Sequence, residues 1–354
     1  MKILELAEFY SNYSGNFIPT LENFESKLKN FNHEVFYIFS NRNDSEAFHK
    51  WYDIFKYKHN VILLNYQSKD FIKTVVNYIV KNNIQIVHGH FLSSNLFSKI
   101  KKRSPRSVLF FQHIHNSFYT KKSVFAFAKR IRNYLFLSKE ITKICCSASI
   151  SNSAAYTFPK SKIEVCKNSI DLARLKKETS LKTDNFSILL LGHNYFIKGV
   201  DVAIQAVSEL SKEMNIHLDI VMGDHLEKNI SIIKEKYGKI PNCISILQPT
   251  LDIVNLYQSH QVFLNASIEE GMSYANIEAY YCGALTILSN IPQNIEPNLP
   301  NVLYFNSGEV NSLKEALKKA YTIKETYSNN PNYVEENFSL DRWSNEIIKL
   351  IGLS

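Results

Sequence analysis

What most constrains this chain is a rhythm that runs twice along it. Short apolar runs of strand length alternate with segments whose apolar residues recur at helical spacing. Met1 to Leu6 is a strand, and Phe17 to Leu28 has a helix's spacing. His33 to Phe39 and Val61 to Leu64 are strands, separated by an irregular aromatic and polar stretch. A helix is predicted from about Asp70 to Lys81, then a strand over Ile84 to Val87 ahead of His88-Gly89-His90. Ser107 to Phe111 is a further strand, running into Gln112-His113-Ile114-His115-Asn116, and Lys121 to Ser138 reads as a helix. Ile144 to Ala148 and Ile163 to Val165 complete the first half. Such alternation is the mark of an α/β unit, a parallel sheet covered by helices on both faces.

The rhythm stops over the charged and polar stretch Leu172 to Asn185, read as a linker, and then resumes. Strands are predicted over Ser187 to Leu191, Leu218 to Met222, Ile244 to Leu247, Val262 to Asn265 and Leu285 to Leu288. Helices are predicted over Val200 to Leu210, Leu251 to Tyr257 and Tyr274 to Cys282, the last stopped by Gly283, a residue suited to a left-handed helix C-terminus. The expected organisation is a domain over 1–171, the linker 172–185 and a second domain over 186–337, with a helix at about 338–354 returning to the first. A chain of 354 residues is long enough for two such cores. Doubly wound sheets bind ligands beyond the carboxyl ends of their strands, so a cleft between the domains is the expected active site.

No apolar stretch approaches the roughly 20 residues of a membrane span. Met1 to Gly15 holds Glu5 and Glu8 where a secretory leader would be apolar, so a cytoplasmic protein is expected. The five cysteines form no C-x-x-C pair and read as small hydrophobes of a reducing compartment. The net charge of +8 is unevenly spread. Residues 1–171 hold 25 basic and 12 acidic side chains, and residues 172–354 hold 16 and 21. The first half is therefore the one suited to an anionic partner, with a compositional bias as the plain alternative.

Three segments carry chemistry. Gly192-His193-Asn194-Tyr195-Phe196-Ile197-Lys198-Gly199 leaves a strand at one glycine and enters a helix through another. A lysine at a helix N-terminus, where N–H groups already favour anions, suits a diphosphate. The second segment runs from Asn265 through Glu270, Gly271, Met272, Ser273 and Tyr274 to Glu278. Each glutamate can accept paired hydrogen bonds from vicinal hydroxyls, and the amides between them can meet a charged group. The third is His113 and His115 at the end of a strand.

The E-x7-E frame, the G-x5-K-G-x-D loop, Asn168-Ser169-Ile170-Asp171 and Asn32-His33-Glu34-Val35 together resemble family 4 of the retaining glycosyltransferases. That family has the GT-B fold of two Rossmann-like domains, and the resemblance covers nearly the whole chain in order. It implies that Glu278 binds the ribose of a nucleotide, Glu270 and the amides after it hold the donor sugar, and Lys198 neutralises the diphosphate. His193 stands where many members carry arginine. A histidine is neutral for much of the time near pH 7, which places more of the neutralisation on Lys198 and the helix dipoles. By the same resemblance His115, with His113 second, lines the donor sugar, and Gly15 and Asn16 match a glycine-bearing loop near the diphosphate.

The implied reaction needs no enzyme nucleophile, no cofactor and no metal. The donor is a nucleotide sugar, with UDP ahead of GDP, and the acceptor a glycan or lipid-linked intermediate of a bacterial capsule or other cell-surface polysaccharide. His88 and His90 are metal-ligand types, but an H-x-H without a nearby carboxylate reads as a loop feature. The basic residues Lys121, Lys122, Lys129, Arg130 and Arg132 suit a peripheral position on the inner face of the plasma membrane. No reader motif points to nucleic acid. Two other readings keep the same fold: a catalytically silent partner subunit or glycan-binding protein, and a sugar-nucleotide epimerase.

Overall fold

The computed structural model describes residues 1–116, 124–137, 140–175, 186–223 and 226–353. The chain divides into two compact units, Met1–Asp171 with Phe338–Ser354, and Leu172–Asn337.

The first unit opens with β1 (Lys2–Ala7), α1 (Phe17–Lys29), β2 (Glu34–Ser40), α2 (Glu46–Lys58), β3 (Asn60–Leu64) and α3 (Phe71–Lys81). It continues through β4 (Ile86–His90), α4 (Ser94–Arg103), β5 (Leu109–Ile114), α5 (Val124–Phe136), β6 (Ile141–Cys145), α6 (Ala148–Thr157) and β7 (Ile163–Val165). The strands form one parallel seven-stranded sheet in the order β3-β2-β1-β4-β5-β6-β7. Both faces are covered, so β1, β2 and β4 carry buried apolar residues on both sides. Ile3, Tyr37, Phe39 and Ile86 pack on one face, and Leu4, Leu6, Ile38 and Val87 on the other.

The second unit begins with α7 (Leu172–Leu175), β8 (Phe186–Leu191), α8 (Val200–Leu210), β9 (Ile216–Val221), α9 (Leu226–Tyr237) and β10 (Ile244–Leu247). After these come α10 (Ile253–Ser259), β11 (Val262–Asn265), α11 (Tyr274–Tyr281), β12 (Leu285–Ser289), α12 (Pro292–Ile295), β13 (Leu303–Phe305), α13 (Val310–Ile323) and α14 (Pro331–Phe338). Its parallel sheet has six strands in the order β10-β9-β8-β11-β12-β13. The helix α11 stops as its sequence predicts, with Gly283 at φ 89° just beyond it.

The chain then returns to the first unit. Ile170 N–H donates to Phe338 O at 2.8 Å, and α15 (Leu340–Leu350) lies along α1. Trp343 of α15 is buried, edge-on to Phe24 of α1 at 6.0 Å between ring centroids.

The structure adds elements that the periodicity reading did not mark, among them α7, α9, α12, β13, α13 and α14 in the second unit. The stretch after Phe39 contains the helix α2, and α4 and α6 are likewise helices. Each starts at a serine whose hydroxyl accepts the N–H three residues on: Ser45 from Phe48, Ser93 from Leu96 and Ser147 from Ile150. The predicted strands also fall short. β4 runs through His88 and His90, and β5 runs through His113, so these histidines stand in the sheet and not in loops.

Candidate active site

In each sheet the winding reverses between two adjacent central strands, β1 and β4 in the first and β8 and β11 in the second, and ligands of such sheets bind at the carboxyl ends of these strands. In the second unit these strands are β8 and β11, paired in parallel from Val262 beside Ile188. The loop 192–199 and the loop 266–273 are thereby neighbours. Ile268 N–H donates to Ile197 O at 2.9 Å. Gly199 has φ 61°, and a Cβ built there would meet Ala266 O at 2.1 Å, so this position requires glycine on both counts.

The two loops bring Lys198 to Glu270. Lys198 Nζ donates to Glu270 Oε1 at 2.5 Å, and Ser267 Oγ donates to the same oxygen at 2.7 Å. Both charged side chains are largely buried, at 15% and 11% exposure. Behind them lies an amide network that the sequence reading missed. Asn265 Nδ2 donates to Asn276 Oδ1 at 2.6 Å, and Asn276 Nδ2 donates to Asn294 Oδ1 at 2.9 Å. Asn294 in turn donates to Ser289 Oγ at 2.9 Å. Met272 and Ser273 are buried, Gly271 and Tyr274 half-buried, and Ser273 makes no side-chain cap to α11. His193 is exposed on the loop after β8.

Glu278 lies one helical turn into α11. Its Oε1 accepts from Arg174 Nη2, and its Oε2 accepts from the Tyr257 hydroxyl at 3.1 Å. Burial and the Glu278 carboxylate push the Tyr257 phenol well up, so it stays a donor. Arg174 belongs to the short helix α7, inside the stretch read as linker; its partner 104 residues later gives no local signal. Residues 176–185 of that stretch lie outside the described residues.

In the first unit the strand period of two sets Ile3, Glu5 and Ala7 on one face of β1. The parallel register aligns Glu5 with His88 and His90 with His113. Four histidines and one glutamate therefore converge at the carboxyl edge. Glu5 Oε1 lies 3.2 Å from His88 Nδ1, and Glu5 Oε2 lies 2.9 Å from His90 Nε2. The expectation that His88 and His90 lack a nearby carboxylate is thus corrected: Glu5 is distant in sequence, and adjacent through the pairing of β1 with β4. His90 Nδ1 lies 3.3 Å from His115 Nε2.

His115 is half-buried at the mouth of this cluster and His113 is buried beneath it, their rings stacked at 4.6 Å. Burial, then neighbouring imidazoles, holds His90 and His113 well below the usual histidine range. Burial and His88 lower His115 as well, to about 3. Gly15 is half-buried ahead of α1, and Asn16 Oδ1 accepts from Asp171 N–H at 3.0 Å.

Residues 20–174 match the family model of Glycosyltransferase Family 4, and residues 172–337 match that of Glycosyl transferases group 1. The chain belongs to these glycosyltransferase families, one in each half. The capsular polysaccharide biosynthesis glycosyltransferase CapH of Staphylococcus aureus is 25% identical over 233 residues, which is 63% of this chain and 64% of that one. The chain therefore spans just under two thirds of that relative's length. The solved glycosyltransferase of Rickettsia africae ESF-5 shares the fold, with a TM-score of 0.77 at 20% identity over 99% of this chain and 97% of that one. So does Anabaena HepE in complex with UDP-glucose, with a TM-score of 0.74 at 16% identity over 99% of both chains.

This glycosyltransferase shows no helix among its described residues long and apolar enough to cross a membrane. Its helix α5 nevertheless exposes Phe127, Ile131, Tyr134, Leu135 and Phe136. Lys121 and Lys122 lie outside the described residues. Arg130 donates to Tyr156 O at 3.0 Å and lies over the Tyr156 ring, Arg132 is exposed, and Lys129 is half-buried. Beside α5 a concavity of about 360 Å³ is lined by Lys101, Lys102, Arg106 and Lys160, with Glu140 and Tyr134. Lys101 and Lys102 come from the end of α4 and Arg106 from the turn after it.

Proposed function

We propose that this glycosyltransferase moves a sugar, with retention of anomeric configuration, from a nucleoside diphosphate sugar to a growing cell-surface glycan or its lipid-linked precursor. The observation that carries the reading is the Lys198–Glu270 pair, set at the winding reversal of the second sheet beside the N-terminus of α11.

In this reading Lys198 and the amides at the α11 N-terminus face the diphosphate, with His193 beside them. Glu270 and the amides of Gly271 to Tyr274 hold the donor sugar. Glu278, oriented by Arg174 and Tyr257, accepts the ribose hydroxyls through its further lone pairs. The glycosidic C–O bond to phosphate breaks as the acceptor oxygen bonds to the same face of the anomeric carbon. The acceptor proton passes to a phosphate oxygen of the leaving nucleoside diphosphate. The chain supplies orientation and charge stabilisation, and no covalent intermediate. The capsule role of CapH and the UDP-glucose bound to HepE support a UDP-sugar and a polysaccharide acceptor. The exposed apolar stripe of α5 and the adjoining basic concavity support a peripheral position on an anionic membrane.

Incubating the protein with a panel of UDP-, GDP- and ADP-sugars and a glycan acceptor, and following the anomeric proton by NMR, tests this. Release of UDP with an unchanged anomeric configuration, at a rate that added Mg²⁺ or Mn²⁺ leaves unaltered, is expected. An inverted product contradicts the retaining course. Binding of none of the nucleotides favours the silent-partner reading, and sugar isomerisation without transfer favours the epimerase.

A further inference from the structure

We propose that His88, His90 and His113, oriented by Glu5, form a binding site for a divalent cation of the zinc class inside the first unit. All four residues belong to the first unit, so the site does not rest on the reading of Lys198, Glu270 and Glu278.

One donor atom from each of the three histidines lies within 4.8 Å of the other two. Zinc–nitrogen bonds of about 2.0–2.1 Å set tetrahedral ligands roughly 3.4 Å apart, so modest ring rotations complete the approach. The nitrogens face one another with few competing bonds. His88 Nε2 and both nitrogens of His113 are buried and have no hydrogen-bond partner. Buried polar atoms without partners are rare, and an ion is one of the arrangements that accounts for them.

Glu5 supplies the second element of such a site. It is fully buried and faces His88 through Nδ1 and His90 through Nε2. A neutral imidazole carries one N–H, and giving it to the carboxylate leaves the lone pair on the opposite nitrogen, Nε2 of His88 and Nδ1 of His90. Carboxylates behind metal-bound histidines act in this way, fixing the tautomer and raising ligand basicity. The Glu5 charge also offsets part of the cost of a buried dication.

The surroundings fit. The Trp343 ring stacks over His88 at 6.4 Å and over His113 at 5.9 Å, and Phe17 meets His90 edge-on at 5.1 Å. These rings shield the ligands, while half-buried His115 stands beside His90 on the more open side. A set of three imidazole nitrogens suits Zn²⁺, Ni²⁺ or Cu²⁺ and disfavours Mg²⁺ and Ca²⁺, which take oxygen ligands.

The full chain, stripped with chelator and titrated with Co²⁺ and then Zn²⁺, tests the site. One tightly held cation per chain is expected, with visible cobalt ligand-field bands, no thiolate charge-transfer band and a Zn²⁺-dependent rise in Tm. Glu5→Gln is expected to weaken Zn²⁺ by about 10- to 100-fold. His113→Asn is expected to abolish the cobalt bands, and His217→Ala, on the second unit, to leave them unchanged. Absence of cobalt bands in the wild-type protein overturns the site without recourse to any variant. Bands and affinity that survive both His88→Gln and His113→Asn overturn it equally.

Discussion

The Lys198 ammonium lies 2.5 Å from Glu270 Oε1, a contact between two loops that are 72 residues apart in sequence and adjacent because β8 pairs with β11. The cation proposed for the diphosphate and the carboxylate proposed for the sugar are thus held at the spacing of one ion pair. Lys198→Ala is expected to lower kcat/KM by about 10²- to 10³-fold, the usual cost of removing one stabilising donor from a reacting site. Steady-state release of UDP measures it, and an effect under about threefold removes Lys198 from the reaction.

Arg174 and Tyr257 each hold one oxygen of Glu278. Arg174→Ala frees that carboxylate to rotate and removes a charged hydrogen bond worth about 1.5–3 kcal/mol. The expected outcome is a UDP Kd raised about 10- to 100-fold. A Kd within twofold of wild type, by calorimetry, shows that Glu278 needs no such support.

At Gly199 the constraint is steric. An alanine Cβ meets Ala266 O at 2.1 Å from a backbone with φ 61°. Gly199→Ala is expected to displace the loop 192–199 from β11, costing on the order of 2–3 kcal/mol. Chemical denaturation gives the stability change, and a nucleotide titration gives the accompanying loss of affinity.

Much of this architecture is legible in the chain. Periodicity marks β8, α8, β11 and α11 within a residue or two because their apolar runs are long and bounded by glycine or asparagine. It passes over α2, α4 and α6, whose starts are marked by a capping serine; α6 has only a weak apolar stripe, while α2 buries Phe48, Tyr52 and Phe55 at helical spacing. The candidate site divides in the same way. Lys198, Glu270 and Glu278 stand out because each follows a recognisable strand. Arg174 and Glu5 do not, since their roles arise from residues 104 and 83 positions away and no spacing rule reaches that far.

The first unit should carry a pH signature at His59. Burial alone would lower its pKa, but bonds to Glu22 and Glu25 outweigh this and raise it from 6.5 to about 9. The folded state therefore holds an extra proton between those values. The stabilisation is full below about pH 6.5 and is lost as pH rises through about 9. Burial would raise Glu25, yet His59, Lys29 and Tyr37 hold it below its usual value, so its share is lost only as the pH falls through the lowered pKa. Denaturation of wild type and His59→Gln at pH 6, 7.5 and 9 checks this. The difference between them should shrink by a few kcal/mol toward pH 9; a constant difference contradicts it.

The central claim is that the second unit binds a nucleoside diphosphate sugar through Glu278, Glu270 and Lys198. Calorimetric titration of UDP-glucose, UDP-galactose and UDP-N-acetylglucosamine into wild type and into Glu278→Ala tests it most directly. Saturable one-to-one binding of at least one donor, weakened at least about 10-fold in a Glu278→Ala protein of unchanged circular dichroism, is the expected result. Equal affinity in the two proteins, or heat from none of the donors, contradicts it.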